Sequence, residues 1–158
     1  MILNILIIAL ASLFLTALLF FESREGRRGM IITKSVLSAL FIVAAIVQPH
    51  PDSRYYYFVL VGLALCLCGD VFLALPQERA FLFGLVSFLL GHILYILGFF
   101  HAAHWSLWTW FGSAGIILVS SGIFFWLRPH LGPMKLPVLI YVAVISIMMA
   151  GAFSVLGD

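Results

Sequence analysis

Six long apolar runs dominate this chain of 158 residues, and they leave few folds open. They lie at about 1–21, 30–48, 55–75, 80–100, 107–127 and 136–156. A helix needs about 20 residues to cross the hydrocarbon core of a bilayer, and each run has that length. Backbone groups in lipid must be paired inside the spanning segment or inside a closed barrel. Barrel strands would read as alternating segments of about ten residues, and these runs do not alternate. The sequence therefore predicts an all-α polytopic transmembrane bundle, a single domain over 1–158 with six spanning helices. Charged residues make up 9% of the chain, against roughly 25% in soluble domains, which excludes an ordinary soluble fold.

The same arithmetic removes other classes. A net charge of +2 is too small and too dispersed for a nucleic-acid partner. Two cysteines and no secretory cleavage pattern exclude a disulfide scaffold. The first run has no basic segment before it and no small-residue cleavage site, so it reads as a retained helix. The first, third and fifth connections hold Arg24, Arg27, Arg28, Arg79, Arg128 and Lys135, whereas the second and fourth hold only Arg54. The positive-inside rule then puts the odd-numbered connections in the cytoplasm, across the inner membrane if the source is bacterial. Tyr55, Tyr56, Tyr57, Trp105, Trp108 and Trp110 gather near the opposite boundary, where amphipathic rings prefer to sit.

Ionisable side chains inside spanning segments are costly and mark candidate functional sites. Lys34, Asp70 and His92 are the three. From the predicted helix ends, Lys34 lies about 6 Å in, Asp70 and Tyr141 about 8 Å, and His92 about 18 Å. Thr16 falls near the level of Asp70. Lys34 and Ser38 are neighbours at i,i+4, and Gly62, Cys66 and Asp70 recur every four residues. Gly84, Ser87, Gly91, Tyr95 and Gly98 share one face of the fourth helix, with His92 on its flank. Small faces let membrane helices approach closely, so the second, third and fourth helices are expected to pack together. Bland readings stand beside each of these. Lys34 is also placed to snorkel to the headgroups, or to form a structural ion pair with Asp70. His92 also suits a packing role, and Tyr141 an amphipathic wall. Cys66 and Cys68 project to nearly opposite faces and read as packing groups. His101 and His104 at i,i+3 read as solvated loop residues. No cofactor or metal is expected, and there is no phosphate-binding glycine loop, nucleophile elbow or zinc-protease motif.

Gly69-Asp70-Val71-Phe72-Leu73-Ala74-Leu75-Pro76, followed by Phe81, Gly84, Phe88 and His92-Ile93-Leu94-Tyr95, resembles the signature of the YhhN family of membrane proteins, which includes the animal lysoplasmalogenases. Thr33-Lys34 resembles the Lys-Pro pair of that family's second helix, with Ser35 where Pro is usual. Tyr141, Met148 and Ala152 resemble its sixth-helix pattern. The family usually has eight helices, the seventh often carrying a Ser-Asp. The chain is thus expected to be a short member or a piece lacking two helices.

The resemblance implies hydrolysis of the vinyl ether bond of lysoplasmalogens, releasing a fatty aldehyde and a glycerophospho-ethanolamine or -choline. It implies Asp70, His92 and Tyr141 as catalytic candidates, and Lys34, Tyr95 and Ser38 as substrate-binding ones. Such chemistry needs an acid that protonates the β-carbon and a group that steers water to the resulting oxocarbenium ion. A cation touching Asp70 would favour its carboxylate and make it the base. A lysine turned to the substrate phosphate would leave Asp70 free to be the acid. The lysophospholipid substrate and membrane lipid are the expected partners. The alternatives are a non-catalytic lipid-binding membrane protein and a six-helix substrate-binding subunit of a transporter. The latter class usually shows Ala-x-x-x-Ala in its first helix, a spacing that Ala9, Ala11 and Ala17 do not give.

Overall fold

Six α-helices in sequence account for nearly all of the described residues: α1 (Ile2–Ser23), α2 (Arg27–Val47), α3 (Ser53–Leu73), α4 (Glu78–His101), α5 (Leu107–Leu127) and α6 (Lys135–Val155). The computed structural model describes residues 2–23, 27–49, 52–104 and 106–155. Arg24 and Trp105, used above for orientation, lie outside the described residues, as do the side chains of Arg27 and Arg28. No strand occurs among the described residues. Helices α3, α4 and α6, and a fourth stretch running from Leu107 to His130, are long and apolar enough to cross a membrane. The described apolar stretches of α1 and α2, Leu6–Phe21 and Ile31–Val47, are shorter.

Local chemistry explains where the helices begin. Asp52 caps α3, its Oδ1 accepting from the backbone N–H of Arg54 (2.8 Å) and Tyr55 (3.1 Å). That cap satisfies two of the donors a helix start leaves open, and it starts α3 two residues before the apolar run. Helix α4 starts at Glu78, whose carboxylate suits the positive end of the helix dipole. Ser106 and Thr109 form a reciprocal capping box at the start of α5. Pro137 falls in the first turn of α6, where a missing N–H removes no helical hydrogen bond. Two short 3₁₀ turns, Arg128–His130 and Gly132–Met134, connect α5 to α6. Gly132 adopts φ +48° there, a conformation only glycine takes without strain.

The chain divides into two compact units, residues 1–91 and 92–158. In the first, α1 packs on α2 and α2 on α3. The predicted small faces of α3 and α4 meet there. A Cβ placed on Gly91 would lie 3.0 Å from both the Gly62 carbonyl oxygen and Cys66 Sγ, and one on Gly84 would lie 3.2 Å from the Gly69 carbonyl oxygen. Ser87 donates to the Leu65 carbonyl oxygen at 3.0 Å across the same seam. In the second unit α5 packs on α6. The Phe100 ring and the Phe99 Cβ lie against Gly151. The backbone N–H of His104 donates to the Ser154 carbonyl oxygen at 3.2 Å.

Candidate functional site

Asp70 sits three residues before the end of α3, about 4.5 Å along the helix axis. The face that meets α4 carries Gly62, Cys66 and Gly69. Eight residues at 3.6 per turn rotate Asp70 about 80° from Gly62. That rotation takes the carboxyl off the α4 seam and lets it reach α2. There Ser38 Oγ donates to Asp70 Oδ2. Both side chains are half-buried. This is a side-chain hydrogen bond between two helices, anchored on an acid inside a spanning segment, where an unpaired polar group is costly.

Lys34 lies one helical turn before Ser38 on the same face of α2, about 6 Å closer to the start of that helix. It is half-buried. Among the described residues it forms no ion pair with Asp70, whose partner is Ser38. The amine is one turn nearer the headgroup layer than the acid, a displacement that suits phosphate contact better than neutralisation of the carboxylate. Beside it Thr33 is buried, and its hydroxyl donates to the Gly29 carbonyl within the helix. Thr16, expected near this level, is exposed and donates at 2.8 Å to the Ser12 carbonyl of its own helix. It adds nothing to the group.

The second unit contains another polar group. His92 and Tyr95 lie one turn apart on α4, with ring centroids 6.0 Å apart at 73°. Tyr141 of α6 meets the same imidazole at 5.7 Å and 62°. Tyr95 continues to Phe99 at 6.3 Å. Edge-to-face geometry at these distances is the favoured arrangement of aromatic pairs. All three polar rings are half-buried. The fourth-helix spacing Gly91-His92-x-x-Tyr95 thus separates two tasks: Gly91 faces α3, and the next residue turns its ring to α6.

Two features were not foreseen from the sequence. Ser146 Oγ and Ser120 Oγ share a hydrogen bond of 2.8 Å, joining α6 to α5. The pair lies in a cavity of about 410 Å³ between those helices. The only advance signal was that both serines sit in apolar helices flanking one short connection. Cys66 packs against the Gly91 position, and Cys68 is exposed.

The YhhN family profile matches residues 29–157. Two curated relatives, the lysoplasmalogenases of Mycobacterium bovis and Mycobacterium tuberculosis, are each 31% identical over 121 residues. The alignments cover 73% of this chain and 46% of each relative. The chain spans about half the length of the curated relatives it matches. No solved structure matches it. The matched signature, the apolar helices and the intramembrane polar residues describe one kind of molecule: the chain is a multi-pass membrane protein and belongs to the YhhN family.

Proposed function

We propose that this chain is a lysoplasmalogenase-like hydrolase with Asp70 as its proton donor. The Ser38–Asp70 hydrogen bond carries this reading. With Oδ2 held by Ser38, Oδ1 is the oxygen left to face substrate. In the proposed reaction Oδ1–H protonates the β-carbon of the vinyl ether, leaving an oxocarbenium ion at the α-carbon. Water adds to that carbon and returns a proton to the Asp70 carboxylate. The hemiacetal collapses to a fatty aldehyde and a free glycerol hydroxyl, which balances the step without a cofactor. Lys34, one turn towards the headgroups, is proposed to hold the phosphate, and the single tail to lie along the apolar helices. In the other unit His92 and Tyr141 are proposed as a proton-handling pair, with Tyr95 contacting substrate. The Asp70 end of α3 is proposed to face the cytoplasm, on the side of Arg79. The names and the 31% identity of the mycobacterial relatives support this activity.

The test is mass spectrometry of products after incubating the purified chain with alkenyl and acyl lysolipids. Asp70→Asn should lower aldehyde release by about 100-fold or more while the protein still inserts. Lys34→Gln should raise KM about tenfold with kcat preserved, as loss of uniform phosphate binding requires. Undiminished aldehyde release from Asp70→Asn would remove Asp70 from the reaction.

A further inference from the structure

The groove between α5 and α6 continues beyond the Ser120–Ser146 pair, and helical spacing carries each of its walls on to a basic residue. Phe124 and Leu139 line its end. Arg128 is four residues after Phe124 and keeps helical geometry (φ −48°, ψ −41°), so it extends the Phe124 face by one turn. Lys135, the first residue of α6, lies four before Leu139 and extends that face in the same way. The two stripes that form the groove therefore each finish on a basic residue at the same end of the helix pair. Both are exposed. From His92 to Gly157 these are the only formally charged side chains, so no acid in that stretch opposes them.

The groove itself suits a hydrocarbon chain. A smaller cavity lined by Gly112, Gly115, Val119 and Ser120 prolongs it along α5. From Gly112 to Phe125 the run is about 20 Å long, enough for a tail crossing one leaflet of a ~30 Å core. A Cβ on Gly115 would meet nothing within 4 Å, so the floor is open there, and the Phe153 ring covers the Gly112 end. The Ser146 proton goes to the Val142 carbonyl and the Ser120 hydroxyl to Ser146, so neither presents an unpaired proton to a tail. Basic residues beside an apolar cleft at the headgroup level attract anionic lipid.

We propose that the α5–α6 groove binds an anionic bilayer phospholipid, with one acyl chain between the helices and the phosphate held by Arg128 and Lys135. This proposal does not depend on the proposed reaction at Asp70. The experiment is native mass spectrometry of the full chain released from neutral detergent, with phosphatidylglycerol or phosphatidylcholine carrying identical tails. Wild type should retain phosphatidylglycerol about tenfold better. The double variant Arg128→Gln/Lys135→Gln should bring the two lipids to equal retention, and Ala143→Trp, which fills the groove, should lose both. Equal retention by wild type overturns the proposal, as does undiminished preference in the double variant. So does a groove that takes lysoplasmalogen alone, with phosphatidylglycerol neither bound nor competing and Ala143→Trp blocking turnover.

Discussion

The α3–α4 seam and the α5–α6 pair use small residues to opposite effect. Along α3 and α4 three glycine positions are filled by a neighbour: Gly91 against the Gly62 carbonyl, Gly84 against the Gly69 carbonyl, Gly69 against the Phe88 ring. On α5, Gly112 is likewise filled, by the Phe153 ring, but Gly115 and Gly122 face open space, and Gly115 lines the smaller cavity. In lipid there is no hydrophobic drive between helices, so close contact has to come from packing and hydrogen bonds. Glycine supplies the first at the seam. At the two open positions of α5 it leaves room instead. A glycine therefore marks a contact at the seam and open space at Gly115 and Gly122, and only the partner face distinguishes them.

Leucine substitutions should separate the two cases most sharply. Gly91→Leu drives a side chain into a backbone carbonyl that has little room to yield, and should cost about 3 kcal/mol or more. Gly122→Leu meets nothing and gains helix propensity, so its thermal midpoint in detergent should stay level or rise. Equal loss in both variants would erase the distinction between seam and cleft. A smaller effect is expected at the polar contact of the first unit. Ser38→Ala removes the partner of Asp70, a change worth about 1–3 kcal/mol, and should lower kcat roughly tenfold. Ser38→Thr, which keeps the hydroxyl, should restore most of it. The smallest effect belongs to the second unit. Ser146→Ala breaks the bond to Ser120, and an interhelical hydrogen bond of this kind averages ~0.6 kcal/mol. Its thermal midpoint should fall by a degree or two while aldehyde release is unchanged.

Hydropathy made the helices legible because lipid imposes their length. Their starts were less so. Helix α3 begins at Ser53 and α4 at Glu78, each two residues before the apolar run, since capping and dipole effects act in the headgroup layer where hydropathy is silent. The small faces of α3 and α4 were readable from helical spacing alone. The partner of Asp70 was not. Lys34 and Ser38 occupy the same stripe of α2, and a shift of one turn between α2 and α3 exchanges them. The connection between those helices does not fix that register. Ser38 stood out as the neighbour of Lys34 and as a substrate-binding candidate, but nothing in its spacing named Asp70 as its partner. The Ser120–Ser146 pair was hidden for a related reason. A membrane serine commonly bonds its own helix, as the Ser146 hydroxyl does to the Val142 carbonyl at 2.7 Å, so its composition alone predicts no neighbour.

The bond from the His104 amide to the Ser154 carbonyl gives the last turn of α6 a remote indicator. That amide lies in the connection before α5, while its acceptor lies 50 residues further along the chain. Ser154 is fully covered, its hydroxyl turned to the Gly151 carbonyl. Fraying of this terminal turn would expose the His104 N–H to water even if every other part of α5 and α6 stayed in place. Deuterium uptake at that one amide would then time the undocking of the chain's final helical turn, with no probe attached to the terminus itself.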